Sequence, residues 1–310
     1  MTSRADTIVA PATPVGRSAL AIVRIDGPSS AALLRTVSRR DVDPDIRRAT
    51  FTRLWDFEGA LLDECIAVRY EAPHSFTGND LVELTLHGNP LLVERVLDVL
   101  VRHGARLAEP GEFSERAVLN GKLDLVQAEA IAELINARTA LQAKVSLSNL
   151  EGTLSRSAEA VRSVLLDVIS RLEAALDFSE EGYEFIKRDE AGTLLGGALS
   201  RLEEMAQTYE RGRATSRGLD AVILGRPNAG KSTLLNRLVG TDRAIVTELP
   251  GTTRDIVRET IEIGGLPVTL ADTAGLREGG DAVEEIGIAR AREAALQADL
   301  VIYLIDASEG

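Results

Sequence analysis

The stretch Gly225-Arg226-Pro227-Asn228-Ala229-Gly230-Lys231-Ser232 decides the fold of the C-terminal third of the chain. It follows an apolar run, Ala221–Leu224, and precedes a helical pattern, Ser232–Val239. Glycines let the backbone curl so that successive N–H groups face a phosphate, and the helix N-terminus adds partial positive charge. The spacing therefore predicts a P-loop, in which Lys231 neutralises the β- and γ-phosphate oxygens and Ser232 gives its hydroxyl to Mg²⁺.

A second motif, Asp272-Thr273-Ala274-Gly275, follows at the end of the apolar run Pro267–Asp272. Its aspartate can reach Mg²⁺ through water, and Gly275 can present its N–H to the γ-phosphate. Between the two motifs lies Gly251-Thr252-Thr253-Arg254-Asp255, a loop of the kind that a γ-phosphate orders. The first motif alone could be an ordinary strand–helix turn, but three elements in this order predict a nucleoside triphosphatase.

The pattern of apolar residues divides the chain into three predicted domains. Residues 1–118 mix strand and helix signals, which predicts an α+β domain, and residues 119–215 read almost entirely as helix. Residues 216–310 alternate strands with helices, which predicts an α/β domain with a mainly parallel sheet. The predicted segments are strands at Ala19–Ile25, Glu64–Tyr70, Leu81–Leu86, Ala221–Leu224, Ile256–Ile263, Pro267–Asp272 and Leu300–Asp306, and helices at Leu91–Gly104, Arg188–Arg211, Ser232–Val239 and Glu284–Ala298.

Composition limits the other classes of function. The net charge is −13 and is not offset by any basic segment, so composition gives no support for nucleic-acid binding. The one cysteine, Cys65, lies in an apolar run, which favours a buried side chain over a nucleophile and fits a reducing cytoplasm. Neither a secretory leader nor a run of 18 apolar residues is present, so we expect a cytoplasmic protein without a membrane span.

Leu276 follows the second motif, where many regulatory GTPases carry a glutamine that orients the attacking water. Leucine cannot do this, so another group must position the water. The acidic residues Asp281, Glu284 and Glu285 are candidates, and the start of a solvated helix is the alternative explanation for them.

With these motifs assembled, the chain resembles the MnmE (TrmE) family of tRNA-modification GTPases. The likeness extends beyond the phosphate site, into segments that a generic P-loop protein has no reason to contain. These family-like segments are Asp6–Ala10, Thr13–Arg17, Ser75–Gly78, Val82–Leu84, His87-Gly88, Pro110–Ala117 and Asn120–Leu125. A small departure is Asn89, which stands where glycine is common.

The resemblance implies an enzyme that adds an aminomethyl-type group to C5 of the wobble uridine of certain tRNAs, together with the flavoprotein MnmG (GidA). It implies that the N-terminal domain forms a homodimer and binds a tetrahydrofolate derivative, 5-formyl- or 5,10-methylene-tetrahydrofolate, as one-carbon donor. Arg24, Glu83 and Lys122 match the family's folate contacts. Each of the three, read alone, is more simply explained as a surface charge.

The resemblance also implies a potassium-activated GTPase, in which K⁺ takes the place of an arginine finger. K⁺ would be held by the Asn228 side chain and by the carbonyls of Thr247, Leu249 and Thr252, while Thr253 would join Ser232 on Mg²⁺. Glu284 matches the family's water-orienting glutamate and, with Lys231, would be catalytic. The GTP/GDP contacts would be Asn228, Ala229, Gly230, Lys231, Ser232, Thr233, Thr247, Thr252, Thr253, Asp272, Thr273, Ala274 and Gly275.

The sequence departs from the family in one large respect. It contains no Asn-Lys-x-Asp element after the phosphate motifs, so guanine specificity rests on the resemblance. We expect the chain to be a fragment, or a shortened gene product, of a protein that is normally longer. Two alternatives stay open: a folate-binding dimerisation module with a vestigial nucleotide site, and a regulatory GTPase of the ribosome-assembly type.

Overall fold

The computed structural model describes residues 6–41, 43–178, 185–225, 229–241, 244–245, 258–272 and 293–305. The chain forms two compact units, Met1–Ala128 and Glu129–Gly310. The three-domain division with boundaries near residues 118 and 215 stays a prediction.

The first unit is built on a six-stranded sheet with the order β3-β4-β5-β2-β1-β6. All neighbours in it are antiparallel except β1 and β6, which run parallel. The mixed strand and helix content agrees with the predicted α+β class. Its elements are β1 (Ile8–Pro11), β2 (Leu20–Asp26), α1 (Ser30–Ser38), β3 (Thr50–Trp55), β4 (Leu61–Tyr70), β5 (Leu81–His87), α2 (Pro90–Arg102), β6 (Arg106–Leu107) and α3 (Glu112–Leu119).

Side chains on β2 and β5 alternate between the two faces of this sheet. Val23 on β2 and Leu84 on β5 are fully buried and pack in one core with apolar residues of α1 and α2. Arg24 and Glu83, each one position along, lie on the opposite face because successive side chains of a strand point to opposite sides. The face away from α1 and α2 therefore carries the polar candidates of the first unit.

Cys65 belongs to the same core and is 3% exposed, which confirms the prediction of a buried side chain. Burial, assisted by the nearby carboxylate of Asp63, raises the pKa of the Cys65 thiol to about 12. A thiol in this environment stays protonated and is a poor nucleophile.

In the described part of the second unit, five helices precede a second sheet. Within it α5 packs against α6 and α8, and α6 packs against α7. None of the helices in the described ranges is long and apolar enough to cross a membrane. The helices are α4 (Leu125–Asn136, which begins in the first unit), α5 (Ala140–Leu150), α6 (Thr153–Asp177), α7 (Arg188–Gln207) and α8 (Tyr209–Arg217), and α9 (Lys231–Thr241) follows the first strand of the sheet.

The sheet of the second unit has the order β11-β7-β10-β9-β8. Its strands are β7 (Leu219–Gly225), β8 (Ala244–Ile245), β9 (Arg258–Ile263), β10 (Leu266–Asp272) and β11 (Leu300–Leu304). β7 runs parallel to β10 and β11, whereas β9 is antiparallel to both β10 and β8. The prediction of a mainly parallel sheet was wrong, because the short Gly264-Gly265 turn returns the chain directly and makes β9 and β10 a hairpin. Most of the predicted helix Glu284–Ala298 lies outside the described residues. In its described part, 293–298, residues 293–297 are helical.

A partly buried cluster of ionised side chains fastens α3 to the sheet of the first unit. Glu112 is 1% exposed and accepts hydrogen bonds from both terminal nitrogens of Arg106, at 3.0 and 2.7 Å, and from Arg116 at 3.1 Å. The hydrogen bonds from Arg106, followed by those from the Glu109 N–H and from Arg116, hold the pKa of Glu112 at about 2, despite the opposing effect of burial. Arg116, 5% exposed, also donates to Asp6 and to Asp26.

The depressed pKa of Glu112 predicts acid sensitivity of the first unit. Its stabilising contribution is present above the ordinary pKa of 4.5 and is lost as pH falls toward about 2, a loss of up to about 3 kcal/mol in the free energy of unfolding. Urea unfolding at pH 5, 4 and 3 should show a shallower decline for Glu112→Gln than for the unchanged protein. Glu64→Gln, in the exposed Arg53–Glu64 pair, is the matched control and should keep the original slope. Equal slopes for all three proteins would contradict the assignment.

Candidate functional site

The turn between β7 and α9 is described at its two ends, at Gly225 and from Ala229 onward, and both ends favour glycine. Gly230 has φ +89°, a left-handed conformation that favours glycine, and its carbonyl accepts the first helical hydrogen bond of α9 from the Leu234 N–H at 2.9 Å. At the other end of the turn, a Cβ added to Gly225 would lie 2.5 Å from the carbonyl oxygen of Leu304 in β11. A side chain at Gly225 would therefore push β11 away from β7.

The ammonium group of Lys231 crosses this turn. Lys231 begins α9, and its Nζ donates to the carbonyl of Gly225 at 2.8 Å. This contact places the cation between the C-terminal end of β7 and the N-terminus of α9. Both the helix terminus and the ammonium attract an anion, so the turn can bind phosphate groups.

Asp272 ends the strand next to the phosphate turn. β10 lies beside β7, with Asp272 opposite Ile223, and β11 lies on the other side of β7. The three parallel strands bring their C-terminal ends to one edge of the sheet, where open α/β sheets bind ligands. The strands that precede the two phosphate motifs, β7 and β10, are therefore neighbours in the sheet.

The described residues include only part of the predicted nucleotide site. Ala229, Gly230, Lys231 and Thr233 are described in full, and the backbone alone is described for Ser232 and Asp272. The other predicted residues lie outside the described ranges, and their roles stay predictions: Asn228, Thr247, Leu249, Thr252, Thr253, Thr273, Ala274, Gly275 and Glu284.

In the first unit, Arg24 and Glu83 form a pair on the face of the sheet away from α1 and α2. They are directly opposite each other on β2 and β5. The Nε and one terminal nitrogen of Arg24 donate to the same oxygen of Glu83, at 3.0 and 2.6 Å. Both side chains are 23% exposed, so the pair is neither a free surface charge nor sealed from solvent.

Aromatic side chains surround this pair. The Arg24 guanidinium carbon lies 5.1 Å from the centre of the Phe76 ring and 5.5 Å from that of Phe113, within cation–π range of both. The hydroxyl of Tyr70 donates to the second oxygen of Glu83 at 3.3 Å. Burial and the Glu83 carboxylate raise the pKa of Tyr70, which keeps this hydroxyl protonated as a donor.

Lys122 reaches the same region through a loop. A Cβ on Gly78, which has φ +83°, would lie 3.0 Å from Cγ of Lys122, so the lysine stem rests on the loop that carries Phe76. Arg24 and Glu83 are thus in direct contact with each other, and Lys122 lies against the loop beside them.

Sequence reasoning missed Tyr70, Phe76 and Phe113 as residues of this site. Phe76 and Phe113 lie inside family-like segments that were recognised as whole stretches, so the signal was present for these two. Tyr70 shares a strand face with Val68, but its position beside Glu83 depends on the register between β4 and β5, which the sequence does not display.

Comparison with known proteins covers both units. A family model described as the GTP-binding protein TrmE N-terminus matches residues 7–122, and one described as a 50S ribosome-binding GTPase matches residues 220–310. The tRNA modification GTPase MnmE of Aquifex aeolicus is 46% identical over 306 residues, which cover 98% of this chain and 68% of that protein. The chain belongs to the MnmE family of tRNA modification GTPases.

Other MnmE proteins match as broadly. That of Nitrosomonas europaea is 46% identical over 310 residues, covering 100% of this chain and 68% of the relative, and that of Chromohalobacter salexigens is 46% identical over 305 residues, covering 98% and 66%. The chain thus spans about two thirds of the length of these MnmE relatives, and the resemblance found from the motifs is confirmed.

Proposed function

We propose that this protein hydrolyses GTP and takes part in modifying C5 of the wobble uridine of tRNA, with a folate as one-carbon donor. The observation that carries the GTPase part is the glycine turn from β7 to α9, with Lys231 across it and Asp272 ending the adjacent strand. The Arg24–Glu83 pair under two aromatic rings supports the folate part.

In the proposed hydrolysis, the N–H groups at the start of α9 and the Lys231 ammonium hold the β- and γ-phosphates. These groups stabilise the negative charge that develops on the phosphate oxygens as the terminal P–O bond breaks. Glu284 orients the attacking water, the role that leucine at position 276 cannot fill. Guanine is proposed from family membership rather than from a base-reading contact.

Two cations fit the donor atoms of this site. Mg²⁺ prefers hard oxygen ligands, and the Ser232 and Thr253 hydroxyls would hold it, with Asp272 in reach through water. K⁺ would be held by neutral oxygens, from the Asn228 side chain and the carbonyls of Thr247, Leu249 and Thr252. Their contribution would be to neutralise charge between the phosphates.

The candidate folate site matches the chemistry of a folate. The guanidinium and carboxylate of the Arg24–Glu83 pair can hydrogen-bond to the polar edge of a pterin, and the Lys122 ammonium can pair with the glutamate carboxylates. Phe76 and Phe113 offer ring faces to a planar heterocycle. Bound 5-formyl- or 5,10-methylene-tetrahydrofolate would supply the one-carbon unit.

The proposed partners are MnmG (GidA), tRNA and a second copy of the chain. The alternative of a ribosome-assembly GTPase would explain the match at residues 220–310 but not the one at residues 7–122. The alternative of a folate module with a vestigial nucleotide site differs from the proposal in GTP turnover, which the Lys231→Ala experiment measures.

The first prediction from the proposed function concerns Lys231. Lys231→Ala should weaken binding of a fluorescent GTP analogue by at least about tenfold and abolish measurable turnover, because a charge-assisted contact to the phosphates is lost. The matched control is Lys144→Ala, an exposed lysine of α5 in the same unit, which should leave both quantities unchanged. If the unchanged protein hydrolysed GTP no faster than Lys231→Ala, the alternative of a vestigial nucleotide site would be favoured.

The second prediction concerns the monovalent cation. GTP turnover should be at least about tenfold faster in KCl than in NaCl at equal ionic strength, because K⁺ supplies charge where no arginine finger is present. Asn228→Ala should reduce the rate in KCl to that in NaCl. Equal rates for the unchanged protein in the two salts would show that the proposed K⁺ cage is wrong.

The third prediction concerns the folate site. Arg24→Ala should weaken binding of 5-formyl-tetrahydrofolate by about tenfold or more in a calorimetric titration. Arg53→Ala removes the arginine of a similar cross-strand pair with Glu64, on the outer strand β3 of the same sheet, and should not change the affinity. Loss of affinity in both variants would point to a general effect on the unit instead of a site at Arg24.

A further inference from the structure

Asp26 is a buried charged residue that the proposed function does not use. It ends β2, two positions after Arg24 and therefore on the same face of the sheet, and it is 0% exposed. One of its oxygens accepts from the hydroxyl of Thr77. The other accepts from the Asn79 amide at 3.0 Å and from Arg116 at 3.1 Å.

The donors to Asp26 belong to the two segments that bring aromatic rings to Arg24. Thr77 follows Phe76 directly, and Arg116 lies three residues after Phe113, on the same side of α3. Because Thr77 and Arg116 both donate to the Asp26 carboxylate, the loop that carries Phe76 and the helix α3 are held at a fixed separation. The two rings over the Arg24 guanidinium are fixed with them.

Lys122 is tied to the same loop. The Asn120 amide donates to the Thr77 carbonyl at 2.7 Å and to the Asn79 side-chain oxygen at 3.0 Å. The Lys122 stem rests on Gly78, between these two contacts along the chain. A displaced loop would therefore displace Lys122 as well as Phe76.

We propose that Asp26, acting through Thr77 and Arg116, is a positioning residue that holds Phe76, Phe113 and Lys122 around the Arg24–Glu83 pair. The proposal rests on the proposed folate role of that pair and of Lys122. Asp26 itself, sealed under the loop and α3, does not touch the ligand.

The test replaces the Thr77 hydroxyl while keeping the shape of the side chain. Thr77→Val removes the hydrogen bond to Asp26, together with the longer one from the Asn79 N–H at 3.3 Å, and its affinity for 5-formyl-tetrahydrofolate should fall by about tenfold. Thr77→Ser keeps the hydroxyl and should bind within about twofold of the unchanged protein. Titrations are run well below the melting temperatures, after circular dichroism has shown that each variant is folded.

Thr52 offers a matched control. It is also a threonine buried in the sheet of the first unit, 3% exposed, and its hydroxyl has no hydrogen-bond partner among the described residues. Thr52→Val makes the same chemical change without breaking a hydrogen bond, so it should bind the folate normally. If Thr77→Val does not fold, Asn120→Ala, at an exposed position, releases the loop from its outer side and should also weaken binding.

The outcomes distinguish the positioning role of Asp26 from the proposed folate site on which it rests. Normal folate affinity in Thr77→Val or in folded Asn120→Ala, with lost affinity in Lys122→Ala, would overturn the positioning role and leave the site in place. Failure of Thr77→Ser to restore binding would also overturn it. Normal affinity in both Arg24→Ala and Lys122→Ala would reject the site and the positioning role together.

Discussion

The alternation of side chains along β2 and β5 is the constraint on which the first unit depends. One set of side chains, which includes Val23 and Leu84, packs against α1 and α2. The other set is thereby left on the face away from α1 and α2, and Arg24 and Glu83 belong to it. A slip of one residue in the register would exchange the two sets, so the packing that stabilises the unit also fixes where its charges stand.

In the second unit a comparable constraint comes from strand direction. β7, β10 and β11 are parallel, so their C-terminal ends share one edge, and both phosphate motifs follow strands that end there. Glycine is required at positions 225 and 230 for different reasons. Gly225 avoids a collision with the β11 backbone, and Gly230 adopts a left-handed conformation immediately before α9. One glycine of the motif therefore permits close packing of the strands, and the other permits the backbone conformation at the start of α9.

Much of the second unit was predictable because its signals are local. The strand, the glycine turn and the helix around residues 225–231 follow one another in sequence, so neighbouring residues alone mark them. β3 was not predicted because its apolar residues do not alternate with burial: Phe51 is 55% exposed, whereas the buried face carries Thr52, 3% exposed, beside Leu54, 1% exposed. The Arg24–Glu83 pairing and its aromatic neighbours depend on register and on contacts distant in sequence, which a pattern of residue types does not encode.

The ionised cluster around Arg116 is a costly way to hold α3 in place. Removing charges from water opposes folding, and apolar side chains of similar volume commonly give equal or greater stability. What apolar packing does not supply is direction: the Asp26 carboxylate accepts from three donors at set angles, on two separate segments. Hydrogen bonds specify geometry more narrowly than apolar contact does, because their strength falls steeply with misalignment. A cluster that is inefficient as a source of stability is therefore well suited to fixing Phe76 and Phe113 at a definite distance from Arg24.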